Sequence, residues 1–388
     1  MYPTLSDMLF DLFGIRIALP FQTFGLFLTL SFVGAYWLIQ KELRRKFAAG
    51  LMSSRSITFQ QGKAKPITDY VLNGILGTLA GYKFLLLFTD YAAFSANPQE
   101  ALLSGQGVWW GGLLGLLISI GLTWQDDQKH QKLPKETITR EIKPWEELGT
   151  ITGYAAIGGI LGAKIFHNFE NWDEFMADPI AGLISFSGLT FYGGLIVAAS
   201  LIIWHARKIG MPVYHLVDAS APGLMLAYGL GRIGCQLSGD GDWGIVNLSP
   251  KPGWLQSFPD WVWSYTYPHN VINQGERMLN CAGEHCYELS QGVFPTPFYE
   301  TMMALSLTGV LWLIRKKINV PGMLFMIYIV MNGIERFLIE QIRVNTTSDF
   351  FGLVVTQAQI ISSLMMIGGL TGIFLLWKNK KSPQTPLS

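Results

Sequence analysis

The sequence predicts an all-α, polytopic membrane protein with about nine transmembrane helices. Half of its 388 residues are hydrophobic and only 14% are charged, and the mean hydropathy is +0.30. That composition is typical of membrane proteins and excludes an ordinary soluble globular chain. The second observation is a strong asymmetry of basic residues between loops, and the third is an arginine, Arg232, at the end of an apolar segment.

Nine apolar segments come close to the ~20-residue length that spans a bilayer. They are residues 21–40, 70–88, 107–124, 148–167, 188–205, 215–235, 297–314, 322–340 and 356–377. The first segment has no basic stretch before it and a strongly basic one after it. We therefore expect a permanent span there rather than a cleaved signal peptide.

The distribution of Lys and Arg predicts the orientation of these spans. Twenty of the 28 basic residues follow the first, third, fifth, seventh and ninth segments, whereas loops 89–106 and 168–187 contain none. Cytoplasmic loops collect positive charge. We therefore expect the N-terminus outside, the C-terminus inside, and residues 1–377 as one membrane domain followed by a cytoplasmic tail, 378–388.

Residues 69–124 and 154–204 read as two copies of one helical pair. The sequence GILG at 74–77 recurs at 159–162, and two aromatic residues followed by GGL recur at 109–113 and 191–195. Glycine-rich faces allow close helix contact, so packing and functional duplication both remain open. A lysine follows GILG in each copy, and we expect its charged end to reach the membrane surface.

The long loop 236–295 is rich in Trp, Tyr and Pro, and predicts a small folded cap at the outer headgroup layer. Cys281 and Cys286 lie close together in this loop. Oxidation is allowed outside the cell, so we expect a local disulfide, with two free thiols as the alternative. Cys235 is interpreted as a small core residue.

Charged residues near the ends of two spans indicate a site. Arg232 follows sixteen mostly apolar residues from Leu216, and a charge at membrane depth is costly without a partner or a water-filled cavity. Arg336, Glu340 and Arg343 are spaced by four and three residues, which predicts a shared helix face. In the topology above, both groups reach the outer membrane plane.

Tyr192 opens the fifth span at the same level, and Gly193 and Gly194 after it would let a ligand approach the backbone. Arginines in one plane suit bidentate binding of phosphate. The phosphates available at that depth are lipid headgroups. For Arg336 and Glu340 alone, a purely structural ion pair is the alternative.

Several motifs together carry a resemblance to a known family. They are FYGGLI at 191–196, DASAPGLMLAYGLGRIGCQLSGDGDWG at 218–244, PTPFYE at 295–300, RFLIEQIRVN at 336–345 and, more weakly, LGAKIFHNFENW at 161–172. On these motifs the chain resembles the prolipoprotein diacylglyceryl transferases of the bacterial inner membrane. The resemblance covers about residues 15–45 and 145–377, with the first helical pair as an insertion of two spans.

The resemblance implies transfer of the sn-1,2-diacylglyceryl group of phosphatidylglycerol to the lipobox cysteine of a preprolipoprotein signal peptide, with release of glycerol 1-phosphate. It implies no metal or organic cofactor, no nucleic-acid partner, and a site towards the outer leaflet. Arg232 and Arg336 would hold the phosphate, and Glu340 would orient Arg336 or Arg343. The expected headgroup pocket also includes Gly193, Gly194, Gly234, Gly239, Asp240 and Gly244.

One departure from the family concerns the proton acceptor for the thiol. Many members carry histidine before the two glycines, where this chain has Tyr192. A tyrosine hydroxyl is protonated near neutral pH and is a poor base unless a nearby arginine favours the phenolate. Tyr192 is therefore either a hydrogen-bond donor to phosphate or a phenolate base. The family's Asn or Cys after the GRIG motif is Cys235 here, and the Tyr-Gly of the first span is Phe24-Gly25.

A non-catalytic lipid-handling or transport protein is the main alternative, because internal repeats are common in transporters. The two copies have the same predicted orientation, however, and the charges lie at one membrane face rather than at the midplane. A structural scaffold would leave the burial of Arg232 and Arg336 without a reason. We therefore favour the enzyme.

Overall fold

The computed structural model describes residues 1–15, 17, 19, 21–90, 105–179, 182, 190–281, 283–345, 347–350 and 353–381. The chain divides into two compact units. One combines Met1–Leu51 with Pro212–Ser388, and the other is Met52–Met211. The expectation of a single membrane domain through residue 377 remains a prediction.

The described residues are mostly α-helical, as the sequence predicts, and each of the nine apolar segments overlaps a helix of at least 18 residues. The helices are α1 Leu5–Phe13, α2 Thr23–Ala48, α3 Ile67–Phe84, α4 Leu86–Thr89, α5 Trp109–Gln131, α6 Leu148–Glu170, α7 Trp172–Ala177, α8 Phe191–Lys208, α9 Val213–Ser238, α10 Thr296–Ile314, α11 Met323–Glu340 and α12 Gln357–Lys381.

Four of these helices are long and apolar enough to cross a membrane on length and composition: Thr23–Ala48, Leu148–Glu170, Thr296–Ile314 and Gln357–Asn379. The chain is therefore an α-helical membrane protein. Nine spans remain a proposal.

In the described part of the chain, three short antiparallel pairs of strands interrupt the helices. They are β1 Arg55–Gln60 with β2 Thr137–Ile142, β3 Glu276–Arg277 with β4 Tyr287–Glu288, and β5 Thr347–Phe350 with β6 Leu353–Thr356.

The first sheet lies in the polar segment that follows the third apolar segment, residues 125–147. Helix α5 continues to Gln131, and strand β2 follows. Four of its six residues are Thr or Ile, which are common in strands. Thr58 pairs with Thr139 at its centre. The sheet therefore joins the two ends of the segment that contains helices α3, α4 and α5.

In the unit Met52–Met211, both copies of the helical pair pack through glycine. A Cβ atom on Gly81 of α3 would overlap the carbonyl oxygen of Gly111 in α5, and one on Gly162 of α6 would overlap the carbonyl oxygen of Gly193 in α8. Small residues let helix backbones approach in this way. Close packing thus explains most of the repeated glycines, whereas a Cβ atom on Gly159 would meet nothing within 4 Å. Functional duplication stays a prediction.

In the other unit, α9 packs against α2, α10 and α11. Near the start of α9, Asp218 is 3% exposed and accepts hydrogen bonds from the backbone N–H groups of Gly322 (2.9 Å) and Phe325 (3.0 Å). These groups belong to the first turn of α11, which lacks partners within its own helix. The Nζ of Lys46 lies 3.6 Å from the Asp218 carboxylate, so one buried carboxylate ties three helices together.

Residues 239–295 fold around their own small core, formed by Trp243, Tyr267 and Val293. Two 3₁₀ turns, Gly253–Leu255 and Asp260–Val262, lie in this segment. The predicted local disulfide joins Cys281 to Cys286. The segment is thus folded, whereas its position outside the membrane remains a prediction.

We expect Asp218→Ala to destabilise the protein by about 3 kcal/mol or more, because it removes the cap of α11 and leaves Lys46 buried without its anion. Thermal unfolding of the detergent-solubilised protein measures the effect. Asp260→Ala is the control, since the Asp260 side chain is 98% exposed in its pair with Lys251 and such pairs contribute ~0–1 kcal/mol. Equal melting temperatures for the two variants would contradict the prediction.

Candidate active site

Arg232 lies near the end of α9, and its guanidinium group contacts two carboxylates. Its Nε lies 2.5 Å from Oε2 of Glu300, and its Nη1 pairs with Asp242. The Arg232 side chain is 15% exposed, whereas that of Glu300 is fully buried. The predicted cost of a charge at this depth is thus offset by ion pairing.

Arg343 contacts the same two carboxylates. Its Nη1 lies 3.2 Å from Oε1 of Glu300, and its Nη2 pairs with Asp242. Glu300 and Asp242 therefore each bridge two guanidinium groups, which leaves the four side chains without net charge. We call Arg232, Arg343, Asp242 and Glu300 the arginine–carboxylate cluster.

A glycine-rich turn places Asp242 in this cluster. Gly239 ends α9 in the left-handed conformation, with φ of +66°, and Gly241 has φ of +97°. L-residues with a side chain rarely adopt these angles. The chain then reverses, and the Thr296 hydroxyl donates a hydrogen bond of 2.7 Å to the carbonyl oxygen of Asp242.

Gly244 brings the end of this turn beside Arg343. The two residues form an isolated antiparallel β-bridge, and the N–H of Ile245 donates to the carbonyl oxygen of Ile342 at 2.8 Å. A Cβ atom on Gly244 would overlap that same carbonyl oxygen. Glycine at this position therefore permits the approach that puts Arg343 next to Asp242.

Arg336 and Glu340 form a second ion pair, with 3.0 Å between Nη2 and Oε2. Oε1 of Glu340 accepts hydrogen bonds of 2.6 Å from both Asn345 and Thr356, so the carboxylate is held from three directions. The Arg336 side chain is 25% exposed and is the most accessible of the three site arginines.

The prediction that Arg336, Glu340 and Arg343 share one helix face is wrong for Arg343. Helix α11 ends at Glu340, so Arg343 lies beyond it in the bridge with Gly244. Of the two arginines proposed as partners of Glu340, the structure pairs it with Arg336. Arg343 is paired with Asp242 and Glu300 instead.

Two further predicted residues flank the cluster. A Cβ atom on Gly234 would meet Phe24 and Phe27 of α2 at 3.2–3.3 Å, so Gly234 serves close helix packing. The carboxylate of Asp240 accepts from the N–H of Asp242 at 3.3 Å. Burial raises the pKa of the Asp240 carboxyl group.

Cys235, Asp240 and Asp242 place possible metal-ligand atoms within 4.8 Å of one another. Both oxygens of Asp242, however, already contact guanidinium groups, and a metal cation there would face two positive charges. A metal cation is therefore disfavoured at these three residues.

Tyr192, Gly193 and Gly194 lie at the start of α8, in the unit Met52–Met211. Cβ atoms on the two glycines would overlap or crowd residues of α6, so both positions are used in helix packing. The Tyr192 side chain is half-buried. Its part in the site remains a prediction.

Our sequence reasoning missed Glu300, Tyr228 and Glu335. The Tyr228 hydroxyl lies 2.6 Å from Oε2 of Glu300 and 3.2 Å from Oε1 of Glu335, and the Arg232 guanidinium lies 5.4 Å from the centre of its ring. The signal was available, because both glutamates are ionisable residues within apolar segments. The argument that singled out Arg232 applies equally to them.

Comparisons with known proteins identify the family of this chain. The family model for prolipoprotein diacylglyceryl transferase matches residues 129–375, a range that contains the whole arginine–carboxylate cluster. Three similar proteins each carry the name phosphatidylglycerol--prolipoprotein diacylglyceryl transferase.

The relative from Vibrio vulnificus is 28% identical over 301 residues, which are 75% of this chain and 92% of that protein. The one from Dehalococcoides mccartyi is 28% identical over 229 residues, or 58% of this chain and 75% of that protein. The one from Mycobacteroides abscessus is 26% identical over 255 residues, or 62% and 70%. Because the family model covers more than half of the sequence, the chain belongs to the prolipoprotein diacylglyceryl transferase family.

Proposed function

We propose that this protein transfers the diacylglyceryl group of phosphatidylglycerol to the lipobox cysteine of a preprolipoprotein, and that the arginine–carboxylate cluster is the centre of its active site. The observation that carries this proposal is the pair of buried arginines held by the same two carboxylates, within the part of the chain that matches the family model. Glycerol 1-phosphate is the second product.

The reaction forms a bond between sulfur and the glycerol C3 carbon and breaks the bond from that carbon to a phosphate oxygen. The thiol gives up its proton, and the leaving phosphate gains negative charge. Guanidinium groups fixed before the reaction stabilise such a charge without reorganising. Burial strengthens the effect, because the charges act across a medium less polar than water.

Arg232 and Arg336 hold the phosphate in this proposal. Arg232 contacts its carboxylates through Nε and Nη1. A guanidinium group carries five N–H donors, so in this proposal its Nη2 donates to a phosphate oxygen. Arg336 is the more exposed partner and is held by Glu340. Arg343 keeps Asp242 and Glu300 in place.

We propose nine spans with the N-terminus outside, the C-terminus in the cytoplasm, and the site towards the outer leaflet of the bacterial inner membrane. The bias of Lys and Arg supports this orientation. The disulfide between Cys281 and Cys286 supports an outer position for the segment 239–295, because disulfides persist in oxidising compartments.

We propose two alternative roles for Tyr192 in the transfer. Tyr192 either donates a hydrogen bond to the phosphate or acts as a phenolate base. Variants of the purified protein test both roles. Phenylalanine at position 192 removes the hydroxyl group that either role needs, and histidine restores the side chain that many family members carry there.

We expect Arg232→Ala and Arg336→Ala each to lower transfer about 10²–10³-fold, because each removes a positive charge from the developing phosphate. Glycerol phosphate release and the mass gain of a lipobox peptide, measured with phosphatidylglycerol in detergent, quantify the loss. Arg277→Ala is the matched control, since Arg277 is an exposed residue of β3.

Wild-type activity in the two arginine variants would contradict the assigned roles. A folded wild type that binds phosphatidylglycerol but forms no product would instead support a non-catalytic lipid-handling protein.

We expect Tyr192→Phe to lower transfer by about 10²-fold, because either proposed role needs the hydroxyl group. We expect Tyr192→His to recover most of that loss. Full activity in Tyr192→Phe would remove Tyr192 from the site.

The orientation is tested by single cysteines placed in loops predicted to lie on opposite sides. A membrane-impermeant maleimide should label Gln256→Cys in intact spheroplasts and should label Lys132→Cys only after the membrane is broken. Background labelling is expected to be low, because the native cysteines are buried or disulfide-bonded. The opposite pattern would reverse the proposed topology.

A further inference from the structure

Three side chains form a line that leads away from the arginine–carboxylate cluster. Glu300 is 0% exposed and Glu335 is 2% exposed. The Tyr228 hydroxyl lies between them, 2.6 Å from Oε2 of Glu300 and 3.2 Å from Oε1 of Glu335. One hydroxyl group therefore stands between two carboxyl groups.

The number of hydrogen atoms available limits which of these two contacts can be hydrogen bonds. A tyrosine hydroxyl carries one hydrogen and can donate it to one acceptor, and the shorter contact is to Glu300. If Glu335 were ionised, its oxygen would then face the Tyr228 oxygen with no hydrogen between them. A proton on Glu335 turns the second contact into a hydrogen bond that Glu335 donates to Tyr228.

The different surroundings of the two glutamates also favour a proton on Glu335. Glu300 contacts two guanidinium groups, whereas no lysine or arginine in the described residues forms an ion pair with Glu335. The second oxygen of Glu335, Oε2, is buried and has no hydrogen-bond partner among the residues that the structure describes. A buried carboxylate anion that lacks an ion pair and has an oxygen without a hydrogen bond costs far more free energy than a neutral acid whose carbonyl oxygen is unpaired.

Apolar neighbours of Glu335 add to the free-energy cost of a negative charge on its side chain. Its side chain lines a groove between α10 and α11 with methionine and leucine residues, among them Met302, Leu307 and Met331. Helix α12, which also packs against α11, has no charged residue before Lys378. The titratable groups around Glu335 are Tyr228, Arg232, Glu300, Tyr328 and Arg336.

We propose that Glu335 carries a proton and is a positioning residue, which donates to Tyr228 so that Tyr228 donates to Glu300. Glu300 then stays the anionic bridge between Arg232 and Arg343. The inference rests on the proposed function, because the bridge matters only if those arginines serve the transfer. Glu335 itself does not touch the reacting atoms in this account.

A glutamine at position 335 imitates the protonated acid, since its amide group can donate to Tyr228 and cannot ionise. We expect Glu335→Gln to transfer within about threefold of wild type and Glu335→Ala to lose at least about tenfold. The assay uses the full-length protein with phosphatidylglycerol and a lipobox peptide. Glu284→Gln is the exposed control for both measurements.

Infrared difference spectroscopy at neutral pH reports the proton directly. We expect the spectrum of wild type minus Glu335→Gln to show the carbonyl stretch of a protonated carboxylic acid. The corresponding difference for Glu284→Gln should lack it. An ionised Glu335 would not produce this band.

Absence of the band would contradict the proposal that Glu335 carries a proton. Loss of activity in a folded Glu335→Gln variant that binds phosphatidylglycerol would overturn its positioning role, whether or not Glu335→Ala folds. Failure of the proposed function is a separate result, because it removes transfer from wild type while the infrared band still reports the protonation of Glu335.

Discussion

The structure of the site depends on one fully buried carboxylate, Glu300, shared by two arginines. Arg232 comes from α9, Glu300 from the second turn of α10, and Arg343 from the segment after α11. A charge removed from water must be paired, so folding brings these three segments together. The same pairing holds both guanidinium groups in place before any substrate arrives, which is the preorganisation that charge stabilisation in a transition state needs.

The rest of the unit serves this arrangement. The turn through Gly239 and Gly241 carries Asp242 back to the arginines, and Gly244 allows the close approach of the backbone beside Arg343. At the other end of α9, Asp218 is bound to the first turn of α11. Helix α9 is thereby fixed to α11 near both ends, which limits how far Arg232 and Arg336 can move apart.

Hydrophobicity and charge predicted much of the fold, because a membrane-spanning helix needs an apolar stretch of known length. They missed the sheet of β1 and β2, since its two strands are separated in the sequence by an entire helical pair and only the fold brings them together. The sequence also indicated Arg232 and the pair Arg336–Glu340, which depend on local patterns. It did not indicate that Arg343 leaves the helix or that Glu300 bridges two arginines, because these contacts join distant segments and are decided by packing.

The central claim is that Glu300 holds Arg232 and Arg343 in a catalytically active arrangement, and Glu300→Gln tests it most directly. This variant keeps the size of the side chain but removes the charge that both arginines share. The measurement is glycerol phosphate release by the folded variant at saturating phosphatidylglycerol and peptide. Our account predicts a fall of at least about 10²-fold in turnover, and turnover equal to that of wild type would contradict it.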